Sequence, residues 1–171
     1  MTYEADPKRL VLNHYGARNT NQKFGGVSLD VEGRRQIGRW RFNYNDLPAG
    51  ATNNLGVSIP ANSTILSAKL NIITAFTSTS TTTDLLVGLE LADGTDIDAD
   101  GLITAAQATQ TTIAVANSVI DGASGTPAAF IGTTIGTSAG ELMVTASAAD
   151  LLTGRAEMIV EYLLPPPTQN L

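Results

Sequence analysis

The chain has 171 residues, of which 43% are hydrophobic and none is cysteine. This length fits one domain with a short attached segment, and the cysteine count excludes disulfides, thiolate metal sites and thiol nucleophiles. The net charge of −6 argues against nucleic acid as a partner, because phosphate binding needs basic surface. No apolar run approaches the roughly 18 residues of a membrane span, so we expect no membrane partner.

Residues 1–33 mix Asn, Gln and Gly with charged side chains and have little apolar surface. Up to Arg41 there are eight basic and four acidic residues, whereas from Phe42 onward there are two basic and twelve acidic residues. We therefore predict an extended basic N-terminal arm that is ordered by docking on a neighbour. His14 lies in this arm without a second histidine or a cysteine to share a metal or orient a catalytic triad, so we expect no catalytic role for it.

Short strands are predicted at 27–31 and at 36–44, and the second is the densest basic and aromatic stretch of the chain. Its two-residue period places Trp40, Phe42 and Tyr44 on one face and Arg39, Arg41 and Asn43 on the other. Such a strand seals a core with aromatics and presents arginines to a partner, and Trp and Arg are enriched at interface hot spots. The predicted interface residues are Arg34, Arg35, Arg39, Trp40 and Arg41. Stacking on single-stranded nucleic acid is the less favoured interpretation, because the rest of the chain repels phosphate.

Further strands are predicted at 57–59, 66–76, 85–91, 111–115, 141–146 and 156–162 from their alternating or continuous apolar residues. The best helical stretches, 104–109 and 147–152, are too short to be stable without packing. A Ser/Thr run at 77–83 and a Gly-rich stretch at 122–140 predict loops, and three prolines from residue 165 end the last strand. We expect an all-β antiparallel sandwich over 34–164, preceded by the arm at 1–33 and followed by a Pro-rich tail at 165–171.

The sharpest chemical motif is the run from Asp96 through Asp98 and Asp100 to Gly101, which matches the opening of a twelve-residue calcium loop. The twelfth position is Gln107, which offers one neutral oxygen where the motif has a bidentate carboxylate. A calcium site is one hypothesis, and a solvated acidic turn is the alternative. Carboxylates clustered in one loop without an aromatic platform do not favour glycoside hydrolysis, and we predict that the protein is not an enzyme.

Several segments resemble parts of small structural proteins of tailed bacteriophages and cyanophages: GVSIP (56–60), SAKLNI (67–72), DLLVGLEL (84–91), ADGTDIDADGL (92–102), GELMVT (140–145) and AEMIVEY (156–162). The resemblance covers about residues 56–164. It implies a jelly-roll-like sandwich that decorates the outer surface of the virion capsid, commonly as a homotrimer. A decoration or cement protein of this kind stabilises the shell by bridging subunits of the major capsid protein.

Two other functions remain open at this stage. A carbohydrate- or receptor-binding module of a phage fibre or tail would use the same sandwich architecture, although sugar sites usually need aromatic platforms. An accessory domain of an enzyme, stabilised by calcium, would depend on the segment at 96–107.

Overall fold

A computed structural model describes residues 34–47, 52–122, 130–147 and 150–165. The chain divides into two compact units, Met1–Arg35 and Gln36–Leu171, and the architecture below belongs to the second. The N-terminal arm, the strand predicted at 27–31 and residues 166–171 of the tail lie outside the described residues, so those predictions stay as they are.

The described residues form eight strands and almost no helix. The strands are β1 (Arg35–Asn43), β2 (Thr52–Ile59), β3 (Thr64–Ser78), β4 (Leu85–Glu90), β5 (Asp96–Ile103), β6 (Ser118–Asp121), β7 (Gly140–Ala146) and β8 (Leu151–Leu163). A 3-10 turn at Tyr44–Asp46 follows β1, and a single helical turn, α1 (Gln110–Ile113), precedes β6. In this part of the chain no helix is long and apolar enough to cross a membrane. The all-β prediction is confirmed.

The strands form two four-stranded sheets with the orders β1-β8-β3-β6 and β2-β7-β4-β5. The pairing is nested: β1 lies beside β8, β2 beside β7, β3 beside β6 and β4 beside β5, and successive pairs alternate between the sheets. The pairs of β3 with β6 and β8, and of β7 with β2 and β4, are antiparallel, as is the pair β4–β5. Buried side chains from both sheets form one hydrophobic core, which confirms the predicted antiparallel sandwich.

The long strand β3 follows the predicted alternation only in part. Leu70, Ile72 and Phe76 are fully buried, whereas Leu66 and Thr74, which the two-residue period places on the same face, are exposed. The register with β8 shifts on either side of these positions, between Ile65 and Ser67 and between Ile72 and Thr77. A bulge adds a residue to one strand and reverses the face of the next side chains, so the simple period is wrong at these two positions.

The strand predicted at 111–115 is wrong, and neither of the two short helical stretches forms a helix in the described residues. Residues 104–108 form a turn, β8 already begins at Leu151, and the helical turn α1 occupies part of the strand predicted at 111–115. Burial of Ile113 in the core and a hydrogen bond from the Gln110 N–H to the Asp84 carboxylate (3.0 Å) fix this turn. Threonine and isoleucine favour strands only weakly, and such tertiary contacts override that preference.

Candidate interface on the outer face of strands β1 and β8

Strand β1 is the edge strand of the first sheet, and its two faces differ sharply. Phe42 is 1% exposed, and Trp40 packs against the core. Arg39 and Arg41 point outward, with side chains 63% and 60% exposed. The period of β1 thus turns Phe42 inward and the two arginines outward, whereas Tyr44 lies in the 3-10 turn that follows the strand.

Trp40 lies along its own strand rather than deep between the sheets. A Cβ atom added at Gly38 would be only 2.2 Å from Cη2 of the Trp40 indole, so the ring covers the position where a side chain at residue 38 would stand. Glycine at this position thus allows the indole to lie against β1, where it remains partly exposed.

Glu157 on β8 anchors the two arginines. The Arg41 Nε–H donates to Glu157 Oε1 at 3.0 Å, and Arg39 Nη1 lies 4.0 Å from Glu157 Oε2. The Glu157 side chain is only 9% exposed although it lies on the outer face of the sheet. Long arginine side chains cover such a group while their guanidinium groups stay in water. The hydrogen bond gives Arg41 a defined direction, whereas Arg39 makes only the longer contact.

The same outer face continues across β3 and β6 as a set of weaker polar contacts. Lys69 Nζ lies 2.6 Å from Asp121 Oδ1, and the Ser67 hydroxyl donates to Glu161 at 3.4 Å. Because Lys69 and Asp121 are both well exposed, water and salt screen their attraction, and the pair adds little stability. These contacts determine how charged groups are arranged on the surface, but they contribute little to the stability of the fold.

Apolar side chains interrupt this polar surface. Ile37 is 60% exposed and shares the outward parity of Arg39, and Val119 is 56% exposed and lies opposite Asn71 in the register of β3 and β6. Isolated exposed apolar residues are ordinary on protein surfaces, but arginine beside apolar groups is typical of interfaces. We refer to Ile37, Arg39, Arg41 and Glu157 together as the arginine face.

The excess positive charge of the N-terminal region lies in β1 and in the residue just before it, not in the arm. Residues 1–33 contain four basic residues (Lys8, Arg9, Arg18, Lys23) and four acidic residues (Glu4, Asp6, Asp30, Glu32), so these charges balance within the arm. The excess comes from Arg34, Arg35, Arg39 and Arg41. Arg34 is half-buried just before β1, Arg35 is the exposed first residue of the strand, and both make contacts.

The acidic motif forms a strand rather than a loop. Asp96, Asp98 and Asp100 lie along β5, and the Asp98 carboxylate accepts a hydrogen bond from the Asp100 backbone N–H at 3.3 Å. Burial, and then the neighbouring Asp98, raises the pKa of Asp100. Among the described residues, no three acidic, histidine or cysteine side chains are arranged to hold a metal ion. The calcium site therefore remains a sequence-based prediction.

A calcium titration separates the two interpretations of this segment. We expect the same Tm in excess calcium and in chelator, because Gln107 is engaged elsewhere: its Oε1 accepts from the Thr104 N–H at 2.8 Å and its Nε2 donates to the Asp121 carbonyl at 3.0 Å. A bound ion would instead raise the Tm, because it adds about 2.7 kcal/mol to the free energy of unfolding when calcium is in hundredfold excess over its Kd. A rise that Asp98→Asn abolishes would establish the calcium site.

Comparisons with known proteins support the fold. No protein-family model and no curated protein matches the chain. A chain of the cyanophage Pam1 capsid asymmetric unit is 17% identical with a TM-score of 0.55, covering 95% of this chain and 98% of that chain. Chains of the Helicobacter pylori bacteriophage KHP30 capsid (21%, TM-score 0.53, 77% and 89% covered) and of the Ralstonia phage GP4 capsid (22%, 0.52, 77% and 86%) are also similar. The two-sheet sandwich of this chain is thus a fold found in chains of three phage capsid structures.

Proposed function

We propose that this chain is a non-enzymatic structural protein of a tailed-phage virion. It decorates the outer surface of the capsid and stabilises the shell by bridging subunits of the major capsid protein. The observation that carries the proposal is the similarity in fold to a chain of a cyanophage capsid, which extends over 95% of this chain and 98% of that one.

The strand order supports a jelly roll. In the nested pairing, the first strand meets the eighth and the second meets the seventh, so the chain folds as a long hairpin whose halves wrap into two sheets. Jelly rolls occur in viral capsid proteins and also in lectins. Because a fold of this kind serves several functions, the site must decide among them.

The arginine face favours a protein partner. It combines Arg39 and Arg41 with the exposed Ile37, whereas the partly exposed Trp40 lies on the opposite face of the same strand. Arginine and tryptophan are the residue types that dominate binding energy at interfaces. Because the Glu157 contact orients Arg41 before binding, less side-chain entropy is lost on association. The matching surface on a capsid subunit carries carboxylates.

We propose a homotrimer as the working unit. Copies related by a rotation axis present the same surface to equivalent shell subunits. Linked contacts then gain about 10²- to 10⁴-fold in overall affinity without any new contact. Modest contacts per copy therefore suffice for stable attachment.

Reconstitution on capsids tests this function. Purified protein is added to capsids that lack it, the mixture is sedimented, and the decorated particles are imaged by cryo-electron microscopy. We expect saturable co-sedimentation and added density on the outside of the shell, in groups of three. Density confined to the tail or its fibres would contradict the proposal and support the receptor-binding alternative.

A further inference from the structure

The second sheet carries three carboxylates in one row across its outer face. Glu90 on β4 lies directly opposite Glu141 on β7 and directly opposite Asp96 on β5. Opposed residues of antiparallel strands share a face, and the adjacent Leu89 and Leu142 are fully buried on the core side. We call Glu141, Glu90 and Asp96 the acidic row.

The middle carboxylate of this row has an unusual environment. Glu90 is 5% exposed, and among the described residues no hydrogen bond or ion pair joins its side chain to another group. Within the same described residues, the neighbouring Glu141 carboxylate accepts a side-chain hydrogen bond only from the neutral Asn54 amide. Like charges directly opposite in a sheet are destabilising, and a buried charge without a partner is costly.

Glu157 provides the contrast. It is buried to a similar degree, at 7% exposed, and it also lies on an outer sheet face, but Arg41 and Arg39 stand beside it. The fold therefore pairs one buried glutamate within the chain and leaves the other with carboxylates on both sides. An unpaired group held in this way needs a cation from elsewhere.

Backbone packing fixes Glu90 in this position. The register of β4 and β5 shifts between Val87 and Leu89 and again between Leu89 and Glu90, which places Asp96 opposite Glu90. Strand β5 also passes so close that a Cβ atom at Gly88 would be 2.0 Å from the Asp98 carbonyl oxygen. Because this approach involves main-chain atoms, β4 and β5 are held close together beside Glu90. Access to the row remains from the side of Asp96, which is exposed.

We propose that the acidic row is a second binding surface, which accepts an arginine or lysine side chain from a shell subunit next to the site of attachment. The identity of that neighbour rests on the proposed function. A basic side chain is the occupant that complements the three carboxylates, and in the proposed function the arginines Arg39 and Arg41 of each copy already face carboxylates of the shell. The two sheets then bear contact surfaces of opposite charge, which allows one copy to bridge two neighbours.

Thermal unfolding of the isolated protein is the first test. Glu90→Gln keeps the shape of the side chain and removes the charge, so we expect the Tm to rise by about 2–4 °C, the shift that relief of a modest destabilisation gives in a domain of this size. The matched variant Glu157→Gln should lower the Tm, because it removes the partner of Arg41. A fall in Tm for Glu90→Gln as well would mean that the carboxylate is already satisfied in the free protein, and would overturn the proposal.

Attachment to capsids is the second test. We expect Glu90→Gln to bind shells at least tenfold more weakly although the isolated protein is more stable, which a purely structural role does not produce. Unchanged attachment would overturn the acidic row even if the arginine face is correct. If variants of Arg39 and Arg41 attach normally and Glu90→Gln does not, the assignment of the arginine face fails and the acidic row stands.

Two further readouts identify other occupants. A change in the mass of the purified oligomer on Glu90→Gln would assign the row to a second copy of the chain, and a calcium-dependent rise in Tm that Glu90→Gln abolishes would assign it to a metal ion. Either result would overturn a shell-subunit cation as the occupant. An unchanged mass together with a calcium-independent Tm supports it.

Discussion

Gly154→Ala is expected to cost about 2 to 5 kcal/mol of folding free energy, because a positive φ costs about 1–2 kcal/mol for an L residue and overpacking a core adds about 1–3 kcal/mol. Gly154 has φ +135° near the start of β8. A Cβ atom there would lie 2.0 Å from Cδ1 of Phe76, which is fully buried and stacks near Phe42 with ring centroids 6.3 Å apart. A loss of this size is a large part of the 5–15 kcal/mol that stabilises a typical domain.

Gly136→Ala is the matched control for backbone strain. Gly136 has φ +100°, and a Cβ atom there meets nothing within 4 Å, so this variant isolates the conformational cost of about 1–2 kcal/mol. Urea unfolding gives both values from the midpoint and the m-value. Phe76→Leu in the Gly154→Ala background should recover part of the additional loss, because it makes room for the new methyl group. Equal losses for the two alanine variants would contradict the close packing of β8 on Phe76.

The strands with regular alternation could be predicted from sequence, and those interrupted by bulges or acidic residues could not. In β8, Ala156, Met158 and Val160 are buried at every second position, so the two-residue period correctly predicts the core-facing residues of this strand. In β5, the aspartates that alternate with Ile97 and Ala99 suggested a metal-binding loop, although Ile97 packs against the core. The composition of this segment does not distinguish a loop from a strand, because its conformation is decided by pairing with β4.

The candidate interface could be predicted only within one strand. The outward direction of Arg39 and Arg41 follows from the period of β1 alone. Their contact with Glu157 joins residues 116 positions apart in the sequence, and the acidic row likewise depends on the registers of β4 with β5 and β7. Register between distant strands is set by the packed core and by bulges, which no local pattern encodes.

Charge reversal at Arg39 and Arg41 together is expected to abolish attachment to the capsid. An interface arginine that acts as a hot spot contributes about 2 kcal/mol, or about 30-fold in Kd. If three copies bind together, the loss recurs at each contact and removes the gain from avidity. Co-sedimentation with capsids at a series of protein concentrations measures the effect.

The contact with Glu157 changes how this experiment must be designed. The sequence alone suggests that charge reversal leaves the sandwich folded, but Arg41→Glu places a second carboxylate beside a buried one, which otherwise has Arg41 Nε at 3.0 Å. Because breaking a buried pair leaves an uncompensated charge, the reversed variant should also lose stability. A failure to attach would then have two explanations.

A neutral triple variant separates them. Arg39→Gln, Arg41→Gln and Glu157→Gln together remove the charges of the arginine face without creating a like-charge contact, so we expect a folded protein that attaches at least tenfold more weakly. Lys69→Gln is the control for charge alone, because Lys69 lies on the same sheet face in an exposed pair with Asp121, and it should attach normally. Added salt should weaken the attachment of the wild-type protein to capsids more than that of the triple variant, because salt screens exposed charges. If the triple variant decorates capsids as the wild type does, the arginine face is not the surface that holds the protein on the shell.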